Sequence, residues 1–165
     1  MRLTLHPAML RDVPDLVVLR SAVSRHLAWQ FGEGYWVARP TERGAIAAMK
    51  RGTVFIARSR GKLIATLTLS TRKPWAIDTT YFYPSHQPLY LTSMAVHPAV
   101  QRKGIGRLCL DEACRIAAEW PADAIRLDAF DVQAGAGTFY SKCGFREVGR
   151  ATYRKTPLIY FEWLL

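Results

Sequence analysis

"SMAVHPAVQRKGIGRLCLDEA" spans residues 93–113. An apolar run stops at Pro98, and a polar, basic patch follows in Gln101, Arg102 and Lys103. Gly104 and Gly106 come next, separated by Ile105, and then apolar positions recur at helical spacing. The order reads as strand, basic glycine loop, helix. Arg107, Asp111, Arg115 and Glu119 stand four apart and alternate in sign, which predicts a solvated stripe of ion pairs. Cys109, Leu110, Ala113, Cys114, Ala117 and Trp120 fall mostly on the other side and are expected to pack on a sheet. With its body docked, the helix starts at the sheet's end, beside the strand that feeds it.

The first amides of a helix have no partner within it, and the macrodipole places about half a positive charge there. Gly104 and Gly106 carry no side chains, so a ligand can approach the backbone. Such a site suits phosphate. The plainer reading is an ordinary glycine turn with basic surface residues. Among phosphate motifs, GxxxxGK[ST] is absent. The dinucleotide pattern GxGxxG would need its third glycine at Cys109, and too little chain follows for a second mononucleotide half. A diphosphate held by "QRKGIG" alone is the third option.

The chain has 165 residues, half of them hydrophobic, which suits one domain over residues 1–165 with one sizeable core. No apolar run approaches about 18 residues and the start lacks an apolar leader, so a cytoplasmic location and no membrane partner are expected. Cys109, Cys114 and Cys143 are irregularly spaced, and the four histidines show no HxxxH or HExxH spacing, so no disulfide framework and no metal is assigned. The net charge of +10 attracts polyanions. It is spread along the chain without a basic run or a nucleic-acid motif, so nucleic acid is not expected as a partner.

"RLTLHPA" alternates as a strand, and "MLRDVPDLVVLRSAVSRHL" follows as an amphipathic helix with Asp12 as N-cap and Pro14 in its first turn. Val13, Leu16, Val17, Arg20 and Val23 mark its spacing. "AWQFGEGYWVARP" reads as a loop or broken helix, and "TERGAIAAMK" as a short helix capped by Thr41. "TVFIAR", "SRGK" and "LIATLTLS" form strand, turn and strand. "TRKPWAIDTTYFYPSHQP" is a long loop, with or without a short strand, before the strand "LYLTSMAV". The helix after the glycines stops at Pro121, "AIRLDAF" is a strand, "QAGAGTFYSKC" a short helix ended by Gly144, and two strands close the chain. The result is an α/β (α+β) fold. It has a central mixed, mostly antiparallel sheet of six to seven strands with about four helices. A right-handed crossover makes "LYLTSMAV" and "AIRLDAF" parallel neighbours.

Gln101 to Gly106 reads Q-R-K-G-I-G after "MAVHP", and "QAGAGTFYSKCGF" places Tyr140 four residues before Gly144-Phe145. In these two motifs and in its element order the chain resembles the GNAT superfamily of acyl-CoA-dependent N-acyltransferases, over nearly its whole length. That resemblance implies acetyl-CoA as cofactor, acetyl being the default acyl group, and an amine acceptor on a small molecule or a protein. It implies transfer by direct attack in a ternary complex. It also implies that Met94, Ala95 and Val96 pair with the pantetheine arm, and that Gln101, Arg102, Lys103, Gly104, Ile105, Gly106 and Arg107 bind the diphosphate. Gln133 stands where the family commonly has Asn, as a longer amide toward the pantetheine. Tyr140 matches the tyrosine that protonates the departing thiolate. "LYLTSMAV" lacks the Glu that serves some members as base, and Asp128 occupies a position where others carry an acidic base. A structural carboxylate paired to an Arg, or a water chain in place of a base, are the other readings of Asp128. A sensor that binds acyl-CoA without turnover is the alternative function.

The family's acceptor pocket corresponds to two aromatic stretches here. They supply Trp29, Phe31, Tyr35 and Trp36, then Trp75, Asp78, Tyr81 and Tyr83, with Glu33 and Asp78 as their acids. Aromatic walls suit an apolar or cationic acceptor. Closing the core under long loops, or a homodimer contact, are the plainer readings of the same residues.

Overall fold

A computed structural model describes residues 3–165. Arg2, at the start of the expected first strand, lies outside them. The elements follow as β1 (His6–Pro7), α1 (Val13–Phe31), α2 (Glu42–Arg51), β2 (Thr53–Ser59), β3 (Lys62–Ser70), β4 (Pro88–Val96), α3 (Ile105–Glu119), β5 (Ala124–Phe130), α4 (Gly137–Lys142), β6 (Arg146–Tyr153) and β7 (Thr156–Leu164). The seven strands form one sheet in the order β1-β2-β3-β4-β5-β7-β6. Only β4 and β5 run parallel, as the α3 crossover requires; every other pairing is antiparallel. The mixed seven-stranded sheet and four α-helices agree with the sequence reading.

Local chemistry accounts for most boundaries. Thr41 accepts the Gly44 N–H through its hydroxyl at 3.0 Å and starts α2. Arg60 and Gly61, both at positive φ (50° and 77°), make the two-residue turn between β2 and β3. Three boundaries differ from expectation. The first strand shrinks to two residues, paired only with β2. Asp12 precedes α1 but does not cap it. Its carboxylate accepts the Met9 N–H at 2.8 Å and pairs with Arg58 at 2.7 Å, and these partners hold it below the usual carboxylate range. Finally, α1 runs on through Phe31, because Ala28–Phe31 continue a good helical stretch and only Gly32 (φ 80°) ends it.

α3 buries Ile105, Cys109, Leu110, Ala113, Ile116 and Ala117 in the main core with Leu67, Leu89, Ile125 and Leu127 of the sheet. Burial pushes the Cys109 thiol up to about 12 and, with help from Asp111, the Cys114 thiol up to about 11. Trp120 departs from the pattern: it is 40% exposed, resting beside Phe55 past the end of the helix. On the exposed face Arg115 pairs with Glu119 and Glu112, while Arg107 leaves the stripe and donates to the Lys142 carbonyl. A second apolar cluster joins Leu16 and Leu19 of α1 to Val54, Ile56 and Leu63. A third lies under the loop over residues 71–87 and contains Ile77, Phe82, Tyr90, Leu158 and Tyr160.

Candidate active site

The sheet opens where its two parallel strands part. β4 and β5 pair only over Pro88–Tyr90 and Ala124–Arg126, so from Leu91 onward the backbone of β4 has no ladder on that side. A bulge reinforces the divergence. Thr66 pairs with Ala95 and Thr68 with Thr92, leaving Ser93 and Met94 opposite Leu67 alone. Ser93 takes φ 54°, and Arg20 Nη2 donates to its carbonyl at 2.9 Å.

A cleft of about 500 Å³ fills the opening. One wall is Leu91–Ala95, the other Asp128–Phe130 with Ala134–Ala136. Tyr140 reaches it from α4. From α1 come Arg20, Val23, Ser24 and Leu27, a run at helical spacing, and the following segment adds Tyr35, Trp36 and Ala38. Tyr35 lies edge-on to Trp36 and to Phe130, each with ring centroids 5.1 Å apart.

Three titratable groups in the cleft are perturbed, Arg20 downward by desolvation and Asp128 and Tyr140 upward. Burial raises the carboxyl of Asp128, which makes no ion pair among the described residues. Arg126, two residues earlier on the same strand, pairs with Glu162 at 3.2 Å. Tyr140 is 7% exposed, and burial, with the charge of Asp128 and Cys143, pushes its phenol well above the ordinary value of 10. Among the described residues the hydroxyl meets only the Met94 thioether, at 3.9 Å, a weak acceptor that leaves the proton available.

The glycine loop adjoins the end of β4. Gly104 (φ 80°) precedes α3, which begins with no side-chain cap, and the Leu108 N–H donates to the Gly104 carbonyl at 3.1 Å. The amides at residues 105–107 are therefore open to an anion. The two glycines serve different ends. A Cβ on Gly104 would meet nothing, so its need is the left-handed backbone alone; a Cβ on Gly106 would come within 2.9 Å of the Phe139 ring. At Gly106 the missing side chain leaves room for Phe139, while its amide stays in the run at the helix start.

The structure brings Met94, Ala95, Asp128, Tyr140, Tyr35 and Trp36 to the cleft and leaves other expected residues outside it. Ile105 packs in the core and Val96 against it. Gln101 donates through Nε2 to the Val96 carbonyl at 2.9 Å, tying the loop to the strand. Arg102 and Lys103 are exposed, Lys103 bonding the Ala99 carbonyl. Gln133 is exposed on the turn after β5 and does not line the cleft. Trp29 is 81% and Trp75 88% exposed, and neither reaches the cleft. Asp78 accepts from Thr80, which lowers its carboxyl, and Tyr83 lies under Arg146. The loop over residues 71–87 is held against β5 and β7, so Trp75, Asp78 and Tyr83 stay out of the cleft. Arg20 and Ser24 line it unforeseen. The available signal was a charge at position 20 within an otherwise apolar helical stripe.

No curated protein matches the chain in sequence. Among solved structures, a GNAT-family acetyltransferase from Listeria monocytogenes superposes with TM-score 0.76 at 16% identity, covering 99% of this chain and 95% of that one. The ribosomal-protein-S18-alanine N-acetyltransferase from Escherichia coli gives TM-score 0.71 at 16% identity, covering 98% and 93%. The yncA protein from Salmonella typhimurium, determined with its cofactor acetyl-CoA, gives 0.69 at 16%, covering 100% and 95%. At these identities the likeness carries the fold alone. The model of the acetyltransferase (GNAT) family matches residues 21–145, which run from α1 to the end of α4 and include nearly all of the cleft. The chain therefore belongs to the GNAT family of acetyltransferases.

Proposed function

We propose that this protein is an N-acetyltransferase that moves an acetyl group from acetyl-CoA to an amine bound in the same cleft. The observation that carries this reading is the open backbone of β4 beside the uncapped start of α3. An extended amide-bearing arm can add to the free edge of β4, and a diphosphate can take the amides at residues 105–107. The residues present therefore fit coenzyme A. Within this proposal Met94, Ala95 and Val96 meet the arm through their backbone, and Arg102 and Lys103 add positive charge at the diphosphate. Gln101 acts through the loop it anchors, and Arg107 through its tie to α4.

Acetyl-CoA supplies the acetyl group as an activated thioester. An alkylammonium, with pKa near about 10, must lose a proton before it attacks. Asp128 Oδ receives that proton; desolvation raises its carboxyl toward the amine and makes it the better base. Backbone N–H groups at the β4 bulge stabilise charge on the carbonyl oxygen. Tyr140 Oη delivers a proton to the departing sulfur.

The test is acetyl transfer from acetyl-CoA to a panel of amines, with wild type and Asp128→Asn followed across pH. Asp128→Asn lowers kcat/KM by about 100-fold or more and removes the acid limb of the profile. The same substitution stabilises the protein. The folded carboxyl titrates above its ordinary 3.8, so the native state holds its proton more tightly. Stability therefore falls as pH rises from 3.8 through the raised value. At neutral pH the buried charge is a cost that Asn removes, so Tm rises relative to wild type. Near pH 4 the difference closes. Unchanged kcat/KM in Asp128→Asn assigns the proton to a water chain instead.

A further inference from the structure

The cleft is lined by one cation, Arg20, and one carboxylate, Asp128, and neither forms an ion pair among the described residues. The guanidinium of Arg20 makes one hydrogen bond, to the Ser93 carbonyl, out of the five N–H donors such a group carries. Its surroundings are apolar enough that desolvation lowers its pKa, and no carboxylate offsets this. Arg20 is half-buried, so a cation there without a counter-ion bears part of the desolvation cost, and a ligand anion that reached it would relieve it. Val23, Leu27, Tyr35, Trp36 and Phe130 give the cleft an apolar and aromatic side.

We infer that the acceptor is a free amino acid, its carboxylate held by Arg20 and its amine turned to Asp128, with an apolar or aromatic side chain against Tyr35, Trp36 and Phe130. The inference rests on the reading of this cleft as the transfer site and goes beyond it by naming the acceptor class. A volume of about 500 Å³ suits a small molecule beside the end of an acyl-CoA arm. A protein N-terminus has no carboxylate next to its amine and leaves Arg20 unmatched.

The step balances. The amine nitrogen bonds the acetyl carbon as the carbon–sulfur bond breaks. The ammonium loses two protons: one passes through Asp128 to solvent, and one replaces the proton that Tyr140 gives to sulfur. The products are an N-acetyl amino acid, the free thiol of coenzyme A and one proton.

The experiment is calorimetric titration of the protein–CoA complex with the common L-amino acids, and with L-phenylalaninamide, L-leucinamide and 2-phenylethylamine. Apolar or aromatic amino acids are expected to bind about 10- to 100-fold more tightly than the matching amides and amine, the usual difference for a lost charge-assisted hydrogen bond. Arg20→Met brings the amino acid down to the level of its amide, and Arg20→Lys retains part of the preference. A thermal shift with coenzyme A alone establishes that each variant is folded. The comparison within wild type needs no variant at all. Equal binding of amino acid and amide, a preference that survives Arg20→Met, or no response from any amino acid overturns the inference.

Turnover separates this inference from the reading beneath it. Acetylation of 2-phenylethylamine in preference to every amino acid refutes the acceptor class and leaves transfer standing. Arg20-dependent binding of an amino acid with no acetylated product supports the binding inference and refutes transfer.

Discussion

Tyr140→Phe lowers kcat for acetyl transfer by about 100- to 1,000-fold, the usual range for removing a positioned acid, and leaves coenzyme A affinity nearly unchanged. The hydroxyl is the only group removed. The ring keeps its contacts with Phe139, Phe145 and Phe161, whose centroids lie 5.2, 5.8 and 5.8 Å away. The lost hydrogen bond goes to a thioether at 3.9 Å, so stability changes by less than about 1 kcal/mol. Because burial raises the phenol above 10, wild type keeps its acid form through neutral pH and shows no alkaline limb from this group below pH 10. Steady-state rates with acetyl-CoA, beside a titration of the variant with coenzyme A, read both halves of the expectation. Unchanged kcat removes Tyr140 from the chemistry.

Arg126→Met lowers stability by about 3 kcal/mol, which for a domain of this size moves Tm down by about 6–12 °C. Arg126 and Glu162 are both buried on the face of the sheet under the loop over residues 71–87. Arg126 binds the Glu162 carboxylate at 3.2 Å and the Tyr83 carbonyl at 2.6 Å, and lies over the Phe82 ring at 5.0 Å. Glu162 in turn accepts the Tyr83 N–H at 3.2 Å. Substituting the arginine leaves a buried carboxylate whose one remaining cation, Arg146 at 3.6 Å, is largely exposed. That residual contact holds the loss near the lower end of what breaking a buried pair costs. The double substitution Arg126→Met with Glu162→Leu recovers much of it, because no buried charge is then left alone. Thermal unfolding of the single and double variants measures this directly. A single variant as stable as wild type would show that the pair contributes nothing.

The fold was legible where local pattern and fold agree. β-branched runs around an Arg-Gly turn gave the β2–β3 hairpin, and the glycine loop between an apolar run and an amphipathic helix gave the crossover from β4 to β5. The loop over residues 71–87 was not legible, because its order comes from distant partners. Asp78 N–H meets the Tyr160 hydroxyl, Tyr83 meets Arg126 and Glu162, and Asp123 accepts from Ser85, His86 and Gln87. Counting aromatics in that loop therefore put Trp75 and Tyr83 with Tyr35 and Trp36, whereas only the latter two line the cleft. Sequence shows the missing side chain at Gly106 but not that Phe139 fills the space beside it. Arg20 was visible as a charge in an apolar stripe, yet only the opening between β4 and β5 gives that charge a cleft to face.

Titration of the purified protein with coenzyme A, with pantetheine and with NAD tests the central claim most directly. The account predicts saturable binding of coenzyme A, pantetheine weaker by at least about 100-fold for want of the diphosphate on the α3 amides, and no response to NAD. Pantetheine bound as tightly as coenzyme A, or NAD bound while millimolar coenzyme A gives no heat, would contradict it.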